Sequence, residues 1–222
     1  MITVHHLADS RSQRVLWLLE ELELDYEVVR YERDRATYLA PASLKRVHPL
    51  GKSPVITDDT NVVAETGHIV DYVVRCHGQG RLAPEVGTPE YERYQYWLHY
   101  AEGSLMPPLL LQLVFDSVET RAPLLAKPVA KAIAGQVKKQ FIRPQQALHF
   151  DYLESCLAAH PWFVGDSFTA ADVMLSFPVE AAAARGVLRN DRHPQLLAFV
   201  DRIHARPAYK QALSRGGEYA YA

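Results

Sequence analysis

Two short stretches of this 222-residue chain carry side chains suited to holding a small charged molecule. The first pairs Gly51-Lys52-Ser53-Pro54-Val55-Ile56 with Ala64-Glu65-Thr66-Gly67-His68-Ile69. Glu65-Thr66 sits where a strand gives way to a helix. There the Thr66 hydroxyl and the free amides of the first turn can receive a carboxylate, and Glu65 can attract an ammonium. On their own these two are also ordinary helix-start residues. Pro54 reads two ways: a strand-start proline whose missing donor does no harm, or a cis proline that turns its neighbouring peptide groups towards a peptide-like ligand. Beside Pro54, Glu65-Thr66 suits an amino-acid end that carries both charges. The second stretch is Ser10-Arg11-Ser12-Gln13-Arg14. Ser12 reads as a cap leading into a helix. Arg11 and Arg14 can meet an anion, and Arg14 can equally anchor the helix through a salt bridge.

Other chemistries find little support. The chain lacks Gly-x-Gly-x-x-Gly and Gly-x-x-x-x-Gly-Lys-Ser/Thr segments, so neither a dinucleotide fingerprint nor a P-loop is present. His48, His68 and His77 are too loosely patterned for zinc, and no metal is expected. His5 and His6 point to opposite faces of one strand, which makes at least one of them a packing residue. A net charge of -2 gives no general reason to expect nucleic acid. Lys127, Lys131, Lys138, Lys139 and Arg143 form a basic interval that reads as a solvated helix face. Cys76 and Cys156 make neither a disulfide framework nor a redox pair, which favours a cytoplasmic setting. The apolar stretch Leu105–Val114 contains Pro107 and Pro108 and is short for a membrane span.

The elements that must position these residues divide into two kinds. Ile2–Leu7 reads as a strand, Ser12–Leu24 as a helix with Val15, Leu18, Leu19 and Leu22 on its apolar face, and Tyr26–Tyr31 as a second strand. Strand, helix and strand at this spacing predict a parallel βαβ unit. After a segment with room for a short helix, Ser53–Thr57 and Asn61–Ala64 bracket the turn Asp58-Asp59-Thr60, and a helix follows over Thr66–Arg75. Glycines and prolines cluster over Gly78–Pro89, which sets residues 1–80 and 90–222 apart as domains joined by a linker at 81–89. Beyond it the patterns are helical: Glu90–Tyr100 and Ile133–Ala159, the longest and each open to a bend or interruption, then Ala170–Arg185 and Pro194–Ala205, followed from Pro207 by a Gly-rich, aromatic tail. Pro107-Pro108 argues against an extended helix through that region. Thr169 and Asp172 have the spacing of a capping box, a structural role.

In this setting Pro54 with Glu65-Thr66 resembles the glutathione-binding portion of the soluble glutathione transferases. Val4-His5-His6-Leu7-Ala8-Asp9-Ser10-Arg11-Ser12-Gln13-Arg14-Val15-Leu16-Trp17 resembles their first strand, catalytic loop and first helix, and Phe168-Thr169-Ala170-Ala171-Asp172 their buried capping box. The resemblance runs throughout Met1–Ala222. It implies an α/β plus all-α fold: an N-terminal thioredoxin-like βαβαββα domain and a C-terminal helical domain. It assigns Glu65 and Thr66 to the γ-glutamyl end, with threonine in place of the usual serine, Val55 to the cysteinyl backbone and Pro54 to the family's cis proline. Lys52 falls near where many members hold the glycine carboxylate. Ser10 resembles the serine of the serine-type members, whose hydroxyl donates to the glutathione thiolate and is not the nucleophile; Ser12 is the second choice. No tyrosine or cysteine stands in Leu7–Arg14 to take that role.

The resemblance further implies that a hydrophobic electrophile docks beside the first helices of the second domain. Tyr100, Met106, Leu109 and Phe115 fall there, as a pocket wall or as an ordinary core stripe. Glutathione is then the cosubstrate, and peroxide reduction is a secondary activity. A non-catalytic binding protein or another glutathione-dependent reaction is the alternative. A homodimer is the family's usual assembly.

Overall fold

The protein is described by a computed structural model over residues 1–34, 37 and 39–222. β1 (Ile2–Leu7), rich in apolar and β-branched residues, lies inside a four-stranded sheet of order β2-β1-β3-β4. It pairs in parallel with β2 (Tyr26–Tyr31), Val4 opposite Val28, and antiparallel with β3 (Val55–Asp58), Val4 opposite Ile56. β3 turns through Asp59-Thr60 into β4 (Asn61–Ala64). The parallel pair needs a crossover, and α1 (Ser12–Glu21) supplies it. Its residues Ser12 to Leu19 are all buried, because the helix is covered by the sheet on one side and by other helices elsewhere. α1 stops earlier than its apolar pattern suggests. Glu23 adopts φ +53°, and the amides of Glu23 and Leu24 turn back to the carbonyls of Glu20 and Leu19, closing the helix in a Schellman motif.

A short 3₁₀ turn (Ala42–Arg46) fills the segment before β3, and α2 (Thr66–His77) follows β4. From Pro89 onward the described residues form helices: α3 (Pro89–Tyr100), α4 (Met106–Arg121), α5 (Lys127–Val137), α6 (Arg143–Ala159), α7 (Ala170–Ala184), α8 (Pro194–His204) and α9 (Pro207–Gly216). One continuous core of buried apolar side chains joins the sheet and α1 to α7, α8 and α9, with Trp17 packed edge-on against Tyr209.

Three readings change here. Pro107-Pro108 does not prevent a helix, since α4 runs through both. A π turn over Ala101–Leu105 precedes them, where the Met106 amide reaches the Ala101 carbonyl. That wider turn leaves the proline rings room in the first turn, where a missing N–H costs least. The same device, a π turn over Lys138–Ile142, admits Pro144 and is the interruption that the stretch Ile133–Ala159 left open. Pro207 begins α9 instead of ending the helices. Within the basic interval, Lys138 turns inward and pairs with Asp116 and Glu119 at 2.9 and 2.7 Å.

The capping box is present. The Asp172 carboxylate accepts from the amides of Thr169 (2.8 Å) and Phe163 (2.9 Å), and the Thr169 hydroxyl takes the Ala171 amide. Asp172 is fully buried, so its removal strands two buried donors. Asp172→Ala is expected to cost about 3 kcal/mol, read as a lowered thermal midpoint. An unchanged midpoint would contradict the role.

Candidate active site at the seam between sheet and helices

Two cavities meet where the sheet faces the helices. One, of about 220 Å³, is lined by Lys52, Ser53, Pro54, Val55, Glu65 and Thr66 from the sheet side and by Arg11 and Glu102 across from them. The second, of about 390 Å³, is bordered by Ser10 and by Met106, Leu109, Leu113, Phe177 and Tyr221. Arg11, Lys52 and Ser53 line both, so the spaces communicate.

The smaller cavity is polar and peptide-sized in its chemistry. The Ser53–Pro54 bond is cis and leads into Val55, the first residue of β3. Glu65 stands at the cap of α2 with φ +70° and ψ 124°, a conformation a non-glycine residue adopts only when its surroundings hold it. No side chain caps α2, so its first amides, beside the buried Thr66, are available to an anion. Carboxylates at Glu65 and Glu102 and cations at Arg11 and Lys52 face one another across the space. Such a site suits a zwitterionic amino-acid end with a further carboxylate.

Glu102 escaped the sequence reading because nothing in its local pattern marks it. The π turn that accommodates the prolines also presents Glu102 to the loop after β1. It accepts from Arg11 Nε at 3.0 and 3.1 Å and pairs with Arg14, whose side chain is 1% exposed. Arg14 also donates to the Met174 carbonyl in α7. Burial raises the Glu102 carboxyl, but the charges of Arg14 and Arg11 overcome this and hold it below its ordinary pKa. Arg14 therefore anchors the helix, as one of its two readings had it.

The two serines occupy different places. Ser10 borders the larger cavity, whereas Ser12 is wholly buried and lines neither. Nor does Ser12 cap α1 with its side chain. Its Oγ receives the Leu7 amide at 3.2 Å and lies 2.8 Å from both His6 Nδ1 and Ser10 Oγ, while the Ser12 amide donates to Ser10 Oγ at 3.2 Å. The loop is held from outside by Arg33, which donates to the carbonyls of Ala8 and Asp9. His5, on the opposite face, bonds Tyr31 through Nδ1 at 3.1 Å.

Of the four expected pocket residues, Met106 and Leu109 line the larger cavity, and Tyr100 and Phe115 do not. Tyr100 is buried among Trp97, Tyr152 and His149, with its hydroxyl 2.6 Å from His149 Nδ1. Phe115 lies further along α4. The wall is completed by Phe177 and by Tyr221 of the aromatic tail, ring centroids 5.6 Å apart and edge to face. The tail is fastened by the Ala220 amide to Asp9 (2.8 Å), Tyr219 to Glu180 (3.1 Å) and Arg185 to Tyr221 (3.1 Å). Phe177 sits in a helix so uniformly apolar that sequence gives no hint which face meets a ligand.

His6 makes this loop acid-sensitive. Burial, then the charge of Arg30, push its pKa down to about 4, against weaker pulls from the Gly216 carbonyl and Asp9. The unfolded chain takes up this proton near pH 6.5 and the folded one only near 4, so stability falls as pH drops through that window. The loss is about 3 kcal/mol at most. Denaturant titrations at pH 7 and pH 4.5 are expected to show a smaller acid loss in His6→Phe than in the parent. Equal losses would contradict the assignment.

The family model for the glutathione S-transferase N-terminal domain matches residues 1–75, and that for the C-terminal domain matches residues 118–215. Glutathione S-transferase 3 of Schizosaccharomyces pombe is 33% identical, over 97% of this chain and 88% of its own length. Glutathione S-transferase 1 of Saccharomyces cerevisiae is 30% identical, over 94% of this chain and 92% of its own. A crystal structure of a glutathione S-transferase from Actinobacillus pleuropneumoniae superposes with a TM-score of 0.82 at 31% identity, covering 99% of this chain and 94% of that one. With relatives aligned end to end across both the sheet and the helices, the chain belongs to the glutathione transferase family.

Proposed function

We propose that this chain is a serine-type glutathione transferase, which activates the glutathione thiol at Ser10 for attack on a hydrophobic electrophile. Glu65 receives the ammonium of the γ-glutamyl end, and Thr66 with the first amides of α2 its carboxylate. Val55 pairs with the cysteinyl backbone beside Pro54, and Lys52 meets the glycine carboxylate. The observation that carries this reading is the junction of the two cavities. A peptide whose charged end rests on Glu65-Thr66 directs its middle residue past Val55, towards Ser10 and the wall formed by Met106, Leu109, Phe177 and Tyr221.

The chemistry follows from the sulfur. A free thiol has a pKa of about 8.5 and is mostly protonated at neutral pH, whereas the thiolate is the attacking species. A fixed hydroxyl donor in a water-poor cleft favours the anion, and Arg11 at the cavity junction adds a positive field. Ser10 donates and does not attack. The same thiolate is competent to cleave the O–O bond of an organic hydroperoxide, with a second glutathione completing the disulfide.

We also place the protein in the cytoplasm as a homodimer. The unpaired Cys76 and Cys156 suit a reducing compartment, and among the described residues no helix is long and apolar enough to cross a membrane. Val114, Val118, Leu124, Leu125, Val129 and Ile133 leave an exposed apolar band on α4, α5 and the 3₁₀ turn between them (Leu124–Ala126) for a second copy to cover. Light scattering is expected to give twice the chain mass, and a monomer at working concentration would overturn the assembly.

The reading is tested by titrating bound glutathione through its thiolate absorbance. The intact protein is expected to depress the thiol pKa, and Ser10→Ala to raise it by about one to two units, equivalent to about 1.4–2.7 kcal/mol. Glu65→Gln is expected to weaken glutathione about ten- to hundredfold. Tight binding with no depression in the intact protein would favour a non-catalytic binding role instead.

A further inference from the structure

Three buried side chains behind the cavity form a line: His6 at 3% exposure, Ser12 at 0% and Ser10 at 6%. His6 Nδ1 to Ser12 Oγ and Ser12 Oγ to Ser10 Oγ are each 2.8 Å. A hydroxyl has one proton to give and two lone pairs to receive, so the direction of such a line can be counted out.

The count starts at the imidazole. His6 is neutral at physiological pH and carries one N–H. Its Nε2 is buried and makes no hydrogen bond of acceptable geometry, although the Gly216 carbonyl pulls weakly towards the charged ring. An unpaired buried N–H is rarer than an unpaired lone pair, so the proton belongs on Nδ1, where Ser12 Oγ accepts it. Ser12 Oγ also accepts the Leu7 amide, which fills both of its lone pairs. Its own proton then goes to Ser10 at 2.8 Å, in preference to the Leu7 carbonyl at 3.3 Å. Ser10 Oγ already receives the Ser12 amide, so its lone pairs are filled as well. What remains to Ser10 is one O–H on the border of the larger cavity. A hydroxyl in that state can only donate.

We propose that His6 is a positioning residue: its Nδ1–H sets the direction of a His6–Ser12–Ser10 relay whose last proton points at the glutathione sulfur. This rests on the reading of Ser10 given above. Its consequence is that thiol activation is set partly from inside the sheet, two residues removed from the ligand. With the opposite tautomer, Ser12 would donate to His6 and draw the Ser10 proton inward, away from the thiolate. Each hydrogen bond in a directed chain also polarises the next, which sharpens the final donor.

The test compares the thiol pKa of bound glutathione, kcat and KM in the parent, His6→Phe, His6→Asn, Ser10→Ala and the Ser10→Ala/His6→Phe double variant. His6→Phe keeps the bulk and removes the donor; asparagine returns an N–H close to the place of Nδ1. The expected result is a thiol pKa raised by about half to one unit in His6→Phe, a lower kcat, an unchanged KM for glutathione, and recovery in His6→Asn. In the Ser10→Ala background, His6→Phe should change nothing further. Full activation in a folded His6→Phe, failure of asparagine to rescue, or additivity in the double variant would overturn the relay. If Ser10→Ala itself leaves the thiol pKa unmoved, the thiolate role of Ser10 fails instead. Nitrogen NMR of the histidines in the unmutated protein checks the tautomer without any variant: protonated Nδ1 on His6 is expected, and protonated Nε2 would overturn the proposal.

Discussion

Burying a guanidinium is costly unless charge and hydrogen bonds compensate it, and Arg14 is buried at the centre of this molecule. Burial pulls its pKa down, and Glu102 from the turn between α3 and α4 holds it up. The Met174 carbonyl of α7 takes a further donor. Arg14 therefore ties the start of α1 to α7 and to the turn between α3 and α4. The loop that carries Ser10 runs from the end of β1 into α1, so its position relative to the helical half depends on this ion cluster. Arg11 joins the same carboxylate from the cavity side, which couples the polar lining of the site to its buried anchor.

From that seam the division of labour follows. The sheet side lines the smaller cavity with the peptide groups about Pro54 and Val55, the Glu65 carboxylate and the Thr66 hydroxyl. The helices supply an apolar wall. Between them the Ser10 loop is pinned on three sides: Arg14 beneath, Arg33 on its carbonyls, and the C-terminal tail on Asp9. Preorganised donors of this kind act at full strength because they need not rearrange when charge develops on the ligand. The π turn that frees Pro107 and Pro108 from conflict also aims Glu102, so a local accommodation of sequence carries part of the site, a frequent use of such turns.

Sequence reading recovered most of the fold because its signals are local. Runs of apolar and β-branched residues marked β1 and β2, the Asp58-Asp59-Thr60 turn marked the β3–β4 hairpin, and Thr169 with Asp172 marked the start of α7. It failed where two local rules competed. Proline chemistry opposed a helix after Tyr100 and the π turn resolved the conflict, which a count of propensities cannot anticipate. That Pro54, Glu65 and Thr66 share one cavity lining was legible because a single hairpin, β3–β4, separates them in sequence. Glu102, Phe177 and Tyr221 reach the cavities from distant segments, and only tertiary packing brings them there. Tyr100 lies outside both cavities for the reciprocal reason: an aromatic on a helix reads the same whether it lines a pocket or, as its core alternative had it, packs on Trp97 and Tyr152.

The central claim is spatial: one hydroxyl, that of Ser10, meets the glutathione sulfur at the junction of the polar and apolar cavities. A crystal structure with glutathione bound tests it most directly. The account predicts the γ-glutamyl end on Glu65-Thr66 and the sulfur within hydrogen-bonding distance of Ser10 Oγ, with Ser12 still enclosed beneath it. A sulfur in contact with Ser12, or out of reach of both hydroxyls while the γ-glutamyl end occupies its place, would contradict it.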